Sequence, residues 1–187
     1  MFSMLGAGAV SAVVGAIIYA NLPTRLTIGG VVPTVEYFAK SNLKLIERGK
    51  ANAAIFEGKN VLAEEIFNAN PTLIMAVRRP GCSFCRKEAS QICSLSKQLE
   101  EKDVKVIGVV HETMGVEEFR PFLGCSDALY FDPEKKFFGP EQRWLPFWMG
   151  FLRIYLINKD KMLFAHLEKE WGDEPETQQL LDALNAI

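Results

Sequence analysis

The chain is poor in histidine and cysteine and has almost no net charge. Its two histidines and four cysteines are scattered apart from one close pair, so the second pair that a tetrahedral zinc site needs is missing. Four cysteines in 187 residues are also too few for a disulfide scaffold. The fold must stand on its hydrophobic core, and the chain is long enough to bury one. A net charge of −2 at pH 7 gives no reason to expect binding to nucleic acid or to an acidic substrate. No internal repeat or low-complexity tract occurs.

Charge is wholly absent from Met1 to Thr24. Within that stretch, Leu5 to Ala20 reads LGAGAVSAVVGAIIYA, which as a helix would reach roughly 24 Å, short of the ~30 Å hydrocarbon core of a bilayer. Its glycines and Ser11 add little to insertion, whereas Val13, Val14, Ile17 and Ile18 favour it. Gly8, Ala12 and Ala16 have the small-xxx-small spacing of a packed membrane helix. The expectation is a weak, reversible membrane association through residues 1–20, with the rest of the chain cytoplasmic. Two alternatives stand beside it. One is a secretory signal cleaved after Ala20, although no Lys or Arg precedes the apolar run; the other is a helix packed on the domain. The division that follows is a hydrophobic segment over 1–24, a linker and helical lead-in over 25–70, and a redox domain over 71–187. Helices are predicted from Thr34 to Glu47 and around Val61 to Asn68.

The informative part begins at Pro71. Thr72 to Arg79 (TLIMAVRR) is a nearly continuous apolar run, as in a strand buried on both faces. Pro80 and Gly81 end it. Cys85, Ala89, Ile92 and Leu99 then recur at helical spacing, which predicts an amphipathic helix from Ser83 to about Glu101. Val104 to Val110 (VKVIGVV) is a second buried strand. This is a βαβ unit with Cys82 at the strand-to-helix turn.

That position gives the CxxC spacing its chemistry. At a helix N-terminus the first backbone N–H groups are unpaired and the macrodipole is positive, which favours a thiolate. Arg78, Arg79 and Arg86 add cationic charge. Cys85, one turn on, can reach back to form a disulfide. The expected division is Cys82 as attacking thiolate and Cys85 as resolving thiol. Cys93, two turns further along the apolar stripe, is expected in the core. His111, at the end of the second strand, is a candidate proton shuttle, and Cys125 is an alternative resolving thiol.

The remaining pattern completes the fold class. A helix over GVEEFRPFLG, a strand over Ala128 to Asp132, a hairpin over Arg153 to Glu168 and a terminal helix with Pro175 near its first turn are predicted. The class is α/β: a thioredoxin-like, peroxiredoxin-like fold with a central mixed sheet flanked by helices, preceded by an apolar N-terminal helix.

IMAVRRPGCSFCRKEA and YFDPEKKFFGP, together with the apolar N-terminus and EKEWGD, resemble the peroxiredoxin-like redox-regulatory family called PAMM (peroxiredoxin activated in monocytes), over nearly the whole chain. The resemblance implies a thioredoxin-like fold, antioxidant activity, redox use of Cys82 and Cys85, and a cytoplasmic location, with secretion also known in the family. Prostamide/prostaglandin F synthase is similar more distantly, through the RR-x-GC-xx-C stretch. Typical peroxiredoxins carry Pro and Thr seven and three residues ahead of the peroxidatic cysteine. Here Met75 and Arg79 stand there, so fast peroxidase turnover is not expected. The glycine-rich stretch that the family has before its final hairpin is also missing, as in a shortened isoform.

The expected function is therefore an antioxidant thiol–disulfide redox protein that uses no metal and no organic cofactor. Its partners would be a thiol reductant of the thioredoxin or glutathione system and its substrates protein disulfides or peroxides, with no nucleic acid. A prostaglandin-endoperoxide reductase, with Trp144, Phe147, Trp148 and Phe151 as binding surface, and a non-catalytic redox-sensing interaction module are the alternatives.

Overall fold

A computed structural model describes residues 2–21, 31–126, 128–140, 152–168 and 173–187. The predicted βαβ unit is present as β3 (Thr72–Val77), α5 (Ser83–Ser94) with its continuation α6 (Ser96–Glu101), and β4 (Lys105–Val110). The helix predicted as one is broken at Leu95, whose backbone leaves the helical region. β3 lies parallel to β4, and β4 parallel to β5 (Ala128–Phe131). The predicted hairpin is β6 (Leu152–Asn158) and β7 (Lys161–Leu167), with β6 antiparallel to β3.

Two further strands were not anticipated. In place of a helix from Thr34 to Glu47, the chain forms α2 (Val35–Ala39) and then β1 (Asn42–Leu45). The helix expected around Val61 is α4 (Ala63–Ala69), entered through β2 (Asn60–Leu62), with a one-turn helix α3 (Ala54–Glu57) between the two strands. β1 pairs antiparallel with both β2 and β5, extending the sheet to seven strands in the order β2-β1-β5-β4-β3-β6-β7. The helical reading fails because α2 stops after five residues. Its last turn closes on Lys40, and the buried Leu43 then packs in strand geometry.

Each face of the sheet carries its own core. Leu73, Met75 and Val77 of β3 face Cys85, Ala89 and Ile92 of α5, together with α7 (Val116–Phe119) and α8 (Thr177–Asn185). Ile74 and Ala76 face the other way, onto Phe38, Phe67, Phe137 and Tyr155. Every residue of β3 is buried, which accounts for its unbroken apolar run.

The YFDPEKKFFGP motif has a structural task on the second face. The buried Asp132 carboxylate accepts the backbone N–H of Glu134 at 3.1 Å and of Phe137 at 3.0 Å. That turn stacks Phe137 on Phe38 at 4.7 Å between ring centres. The Tyr155 hydroxyl donates to the Phe137 carbonyl at 3.2 Å.

At the N-terminus α1 spans Phe2–Asn21, and its Val10, Val13, Val14 and Ile18 are exposed. Among the described residues, no helix is long and apolar enough to cross a membrane. The aromatic cluster Trp144, Phe147, Trp148 and Phe151 lies outside the described residues.

Candidate active site

β3 ends at Val77, and the Pro80–Gly81 turn delivers the chain to α5 with Cys82 as its N-cap residue. The turn is closed by the Cys82 N–H, which donates to the Arg79 carbonyl at 2.9 Å. The Cys82 carbonyl in turn accepts the Arg86 N–H at 3.2 Å. The Cys82 side chain makes no capping bond to the helix. It is half-buried in the wall of a cleft of about 580 Å³, together with Arg79, Gly81, Ser83, Phe84, Glu112, Met114 and Gly115.

Cys85 is a free thiol, 1 % exposed, one turn behind Cys82. Burial, the neighbouring Cys82 with which it is hydrogen-bonded, and the charges of Glu168 and Glu88 all push the Cys85 thiol far above the ordinary thiol range. It therefore rests protonated. The pair is thus asymmetric: one sulfur open to the cleft, the other buried and protonated behind it.

The cationic residues separate. Arg79 lines the cleft. Arg78 is half-buried; burial first, then Arg79 and Arg153, pull its guanidinium below its usual range, opposed by Glu112. Arg86 turns along the helix to place its guanidinium over the Phe122 ring, 5.4 Å from the ring centre. His111, beyond the end of β4, packs edge-on against Phe138 at 4.6 Å, with Nε2 3.5 Å from a Glu112 carboxylate oxygen. Burial, then Lys135, Arg78 and Arg79, lower its pKa to about 4, so the ring is neutral at neutral pH.

The loop between β4 and α7 forms the opposite wall, and sequence reasoning did not single it out. Gly115 adopts φ +80°, and a Cβ built there would stand 2.9 Å from the Gly81 nitrogen. The glycine lets this loop close against the turn that carries Cys82. Met114, 85 % exposed, and Phe84, 45 % exposed, flank the cleft. The signal was the φ-permissive glycine in MGVEEF, whose meaning depends on the loop's place across from Cys82.

The other cysteines are paired. Cys93 and Cys125 form a disulfide between residues 32 apart, with Cα atoms 5.2 Å apart. This corrects two expectations: Cys93 is more than core filling, and Cys125 is engaged away from the CxxC pair. The disulfide ties the last turn of α5 to the segment after the 3-10 turn Arg120–Leu123.

A parallel-centred sheet, a helix opening on a CxxC pair and a two-stranded antiparallel end define a thioredoxin-like redox domain of the peroxiredoxin type. No family model matches the chain. It is 32 % identical to the peroxiredoxin-like 2A protein of Xenopus tropicalis over 211 aligned residues, covering 96 % of this chain and 88 % of the relative. It is 31 % identical to that of Mus musculus, covering 98 % and 93 %. The chain belongs to the peroxiredoxin-like 2A family. The first alignment is longer than the chain's 187 residues, so relatives carry segments with no counterpart here. Among solved structures, the chain is similar to reduced Prx3 of Vibrio vulnificus in complex with H2O2 (TM-score 0.58, 16 % identity, covering 82 % of this chain and 99 % of that one). It is also similar to the peroxidoxin BcpB of Mycobacterium tuberculosis (TM-score 0.55, 15 % identity, covering 80 % and 95 %). These likenesses concern the fold.

Proposed function

We propose that the chain is an antioxidant thiol–disulfide oxidoreductase of redox-regulatory type, with Cys82 as attacking thiolate and Cys85 as resolving thiol. One observation carries the reading: Cys82 stands at the N-terminus of a twelve-residue helix on an open cleft, with the buried Cys85 thiol hydrogen-bonded behind it. A helix N-terminus favours negative charge on a sulfur held there. Cys82 attacks a disulfide, forming a mixed disulfide and releasing one thiolate, or a peroxide, forming a sulfenic acid and releasing the alcohol or water. Cys85 then expels the remaining substrate thiolate, or water, to leave the Cys82–Cys85 disulfide. A thiol reductant of the thioredoxin or glutathione class reopens it. With Arg79 and Met75 where peroxiredoxins carry Thr and Pro, peroxide turnover is slow and disulfide exchange is the main reaction.

The exposed Phe84 and Met114 beside Cys82 favour one second reading, reduction of an apolar endoperoxide of the prostaglandin type. Comparing turnover with a protein disulfide, hydrogen peroxide and a lipid endoperoxide, each with a dithiol reductant, tests the two. Loss of all three would leave a redox-sensing module. The same reading has the domain in the cytoplasm, where such a reductant acts, with residues 1–20 as a weak membrane attachment. Deleting them should move the protein to the soluble fraction, whereas a secreted chain beginning near Asn21 would overturn that placement.

A further inference from the structure

Glu88 is out of place for a carboxylate. It sits one turn beyond Cys85 on the buried stripe of α5, 2 % exposed. Neither of its oxygens has a hydrogen-bond partner among the described residues. An unpaired buried carboxylate is costly, and a core-facing helix position would ordinarily be apolar.

Its surroundings suggest a use for it. On one side its charge acts on Cys85. On the other it lines a small cavity of about 40 Å³, together with Gln91 and Ile92 of α5, Leu95 at the break after it, Glu174 and Pro175 ahead of α8, and Thr177 and Leu180 of α8. That is space enough for a water molecule. At the rim Glu174 is ion-paired with Lys87 and accepts from Gln91 at 3.0 Å. The groups facing Glu88 are therefore Glu168 at the end of β7, Asp173 and Glu174 ahead of α8, and Lys87 on its own helix.

We infer that Glu88 is the proton relay for Cys85, taking the thiol's proton during resolution and returning it during reduction. This rests on the redox reading above. In resolution, Cys85 Sγ forms a bond to Cys82 Sγ while the bond from Cys82 to the substrate sulfur breaks. The electron pair leaves with the substrate thiolate, and the Cys85 proton passes to the Glu88 carboxylate and out through the cavity. Reduction by a dithiol reverses the path, protonating Cys85 as it leaves. The site gives the relay its use: Cys85 is buried and held protonated, its proton must leave as the sulfur attacks, and Glu88 stands one helical turn away on the same buried stripe. Burial, then Glu168, Glu174 and Asp173, raise the Glu88 pKa to about 8, where a carboxyl both accepts and donates near neutrality.

The test uses 5,5′-dithiobis(2-nitrobenzoate) on the full chain by stopped flow, with mass spectrometry confirming that Cys93–Cys125 stays intact. Attack by Cys82 releases a first thionitrobenzoate, and displacement by Cys85 releases a second. In the wild type the second rate should rise with pH through an inflexion near 8 and level off above it. In Glu88→Gln the first rate should be unchanged, while the second falls at least about 10-fold at pH 8 and loses its inflexion. Glu88→Asp should keep an inflexion at a shifted pH. A second release in Glu88→Gln that is equally fast or faster, with the inflexion retained, would overturn the relay and make Glu88 a mere repulsive charge on Cys85. Should Glu88→Gln not fold by circular dichroism, the same readout on Glu88→Asp decides, an unchanged profile counting against the relay. Absence of any release would overturn the redox reading itself, and the relay with it.

Discussion

Helix α5 has one cysteine pair at its start and half of another at its end, and the two pairs differ in state. Cys82 and Cys85 at its first turn are free thiols, while Cys93 in its last turn is joined to Cys125. The helix itself supplies part of the difference. Unpaired N–H groups and the positive pole at the start favour a thiolate, whereas the negative pole at the end opposes one. A sulfur at the end is better held in a neutral disulfide. Access supplies the rest: Cys82 opens on a large cleft, while Cys93 and Cys125 pack partly buried against the core. Under the proposed function, reactivity belongs to one end of the helix and tethering to the other.

The largest expected effect breaks the reactive end. Cys82→Ser should abolish thiol–disulfide exchange, while Cys85→Ser should keep the first attack and accumulate stable mixed disulfides on Cys82, seen as trapped adducts on non-reducing gels. Trapping through Cys125 instead, with Cys85 dispensable, would show that the two ends exchange roles.

At the tethering end, Cys93→Ser with Cys125→Ser removes a cross-link between residues 32 apart. Loop-closure entropy puts the loss of stability at about 3–4 kcal/mol. The first attack by Cys82 should survive below the new melting temperature. A parallel loss of initial rate, measured well below that temperature, would mean that the tether positions the site and that the division of labour along α5 is wrong.

Gly115→Ala acts across the cleft. It forces a side chain onto φ +80° and against the Gly81 nitrogen at 2.9 Å, at a cost of about 1–3 kcal/mol. The Cys82 turn must shift to relieve the contact, so alkylation of Cys82 should change while the Cys93–Cys125 disulfide stays formed. An unaltered alkylation rate would show that this loop does not set the reactive end.

Much of this site was legible in the chain because its elements are strongly periodic. β3, α5 and β4 each declare themselves over six or more residues, and Cys82 falls between two of them. β1 and β2 did not, since strands of four and three residues with mixed burial leave no usable alternation, and Val35 and Phe38 of α2 just ahead carry a helical spacing that reads on past its end. The Cys93–Cys125 pairing needed the tertiary path that brings the segment after β4 back over α5. Glu88 gives no sign of its role in the sequence, because nothing in CRKEA shows which side of the helix it occupies relative to α8. Buried charge is the feature a one-dimensional pattern hides most completely.

The smallest effect probes the field at the reactive end through His111. Burial, with Lys135, Arg78 and Arg79 adding to it, holds its folded pKa at about 4, below the roughly 6.5 expected when unfolded. The unfolded state therefore binds the proton first. His111 contributes stability that is full above about pH 6.5 and is lost as pH falls toward 4. Between pH 7 and 5.5 the wild type should lose about 1 kcal/mol more than His111→Gln in denaturant unfolding. Glu88 runs the opposite way, since its raised folded pKa of about 8 costs stability as pH rises from about 4.5. The His111 contribution must therefore be read as a difference between the two proteins and not from the wild-type curve alone. An NMR titration of His111 supplies the direct check. An ordinary value near 6.5 would mean that the ring is hydrated and that neither burial nor the charges of Lys135, Arg78 and Arg79 act on it.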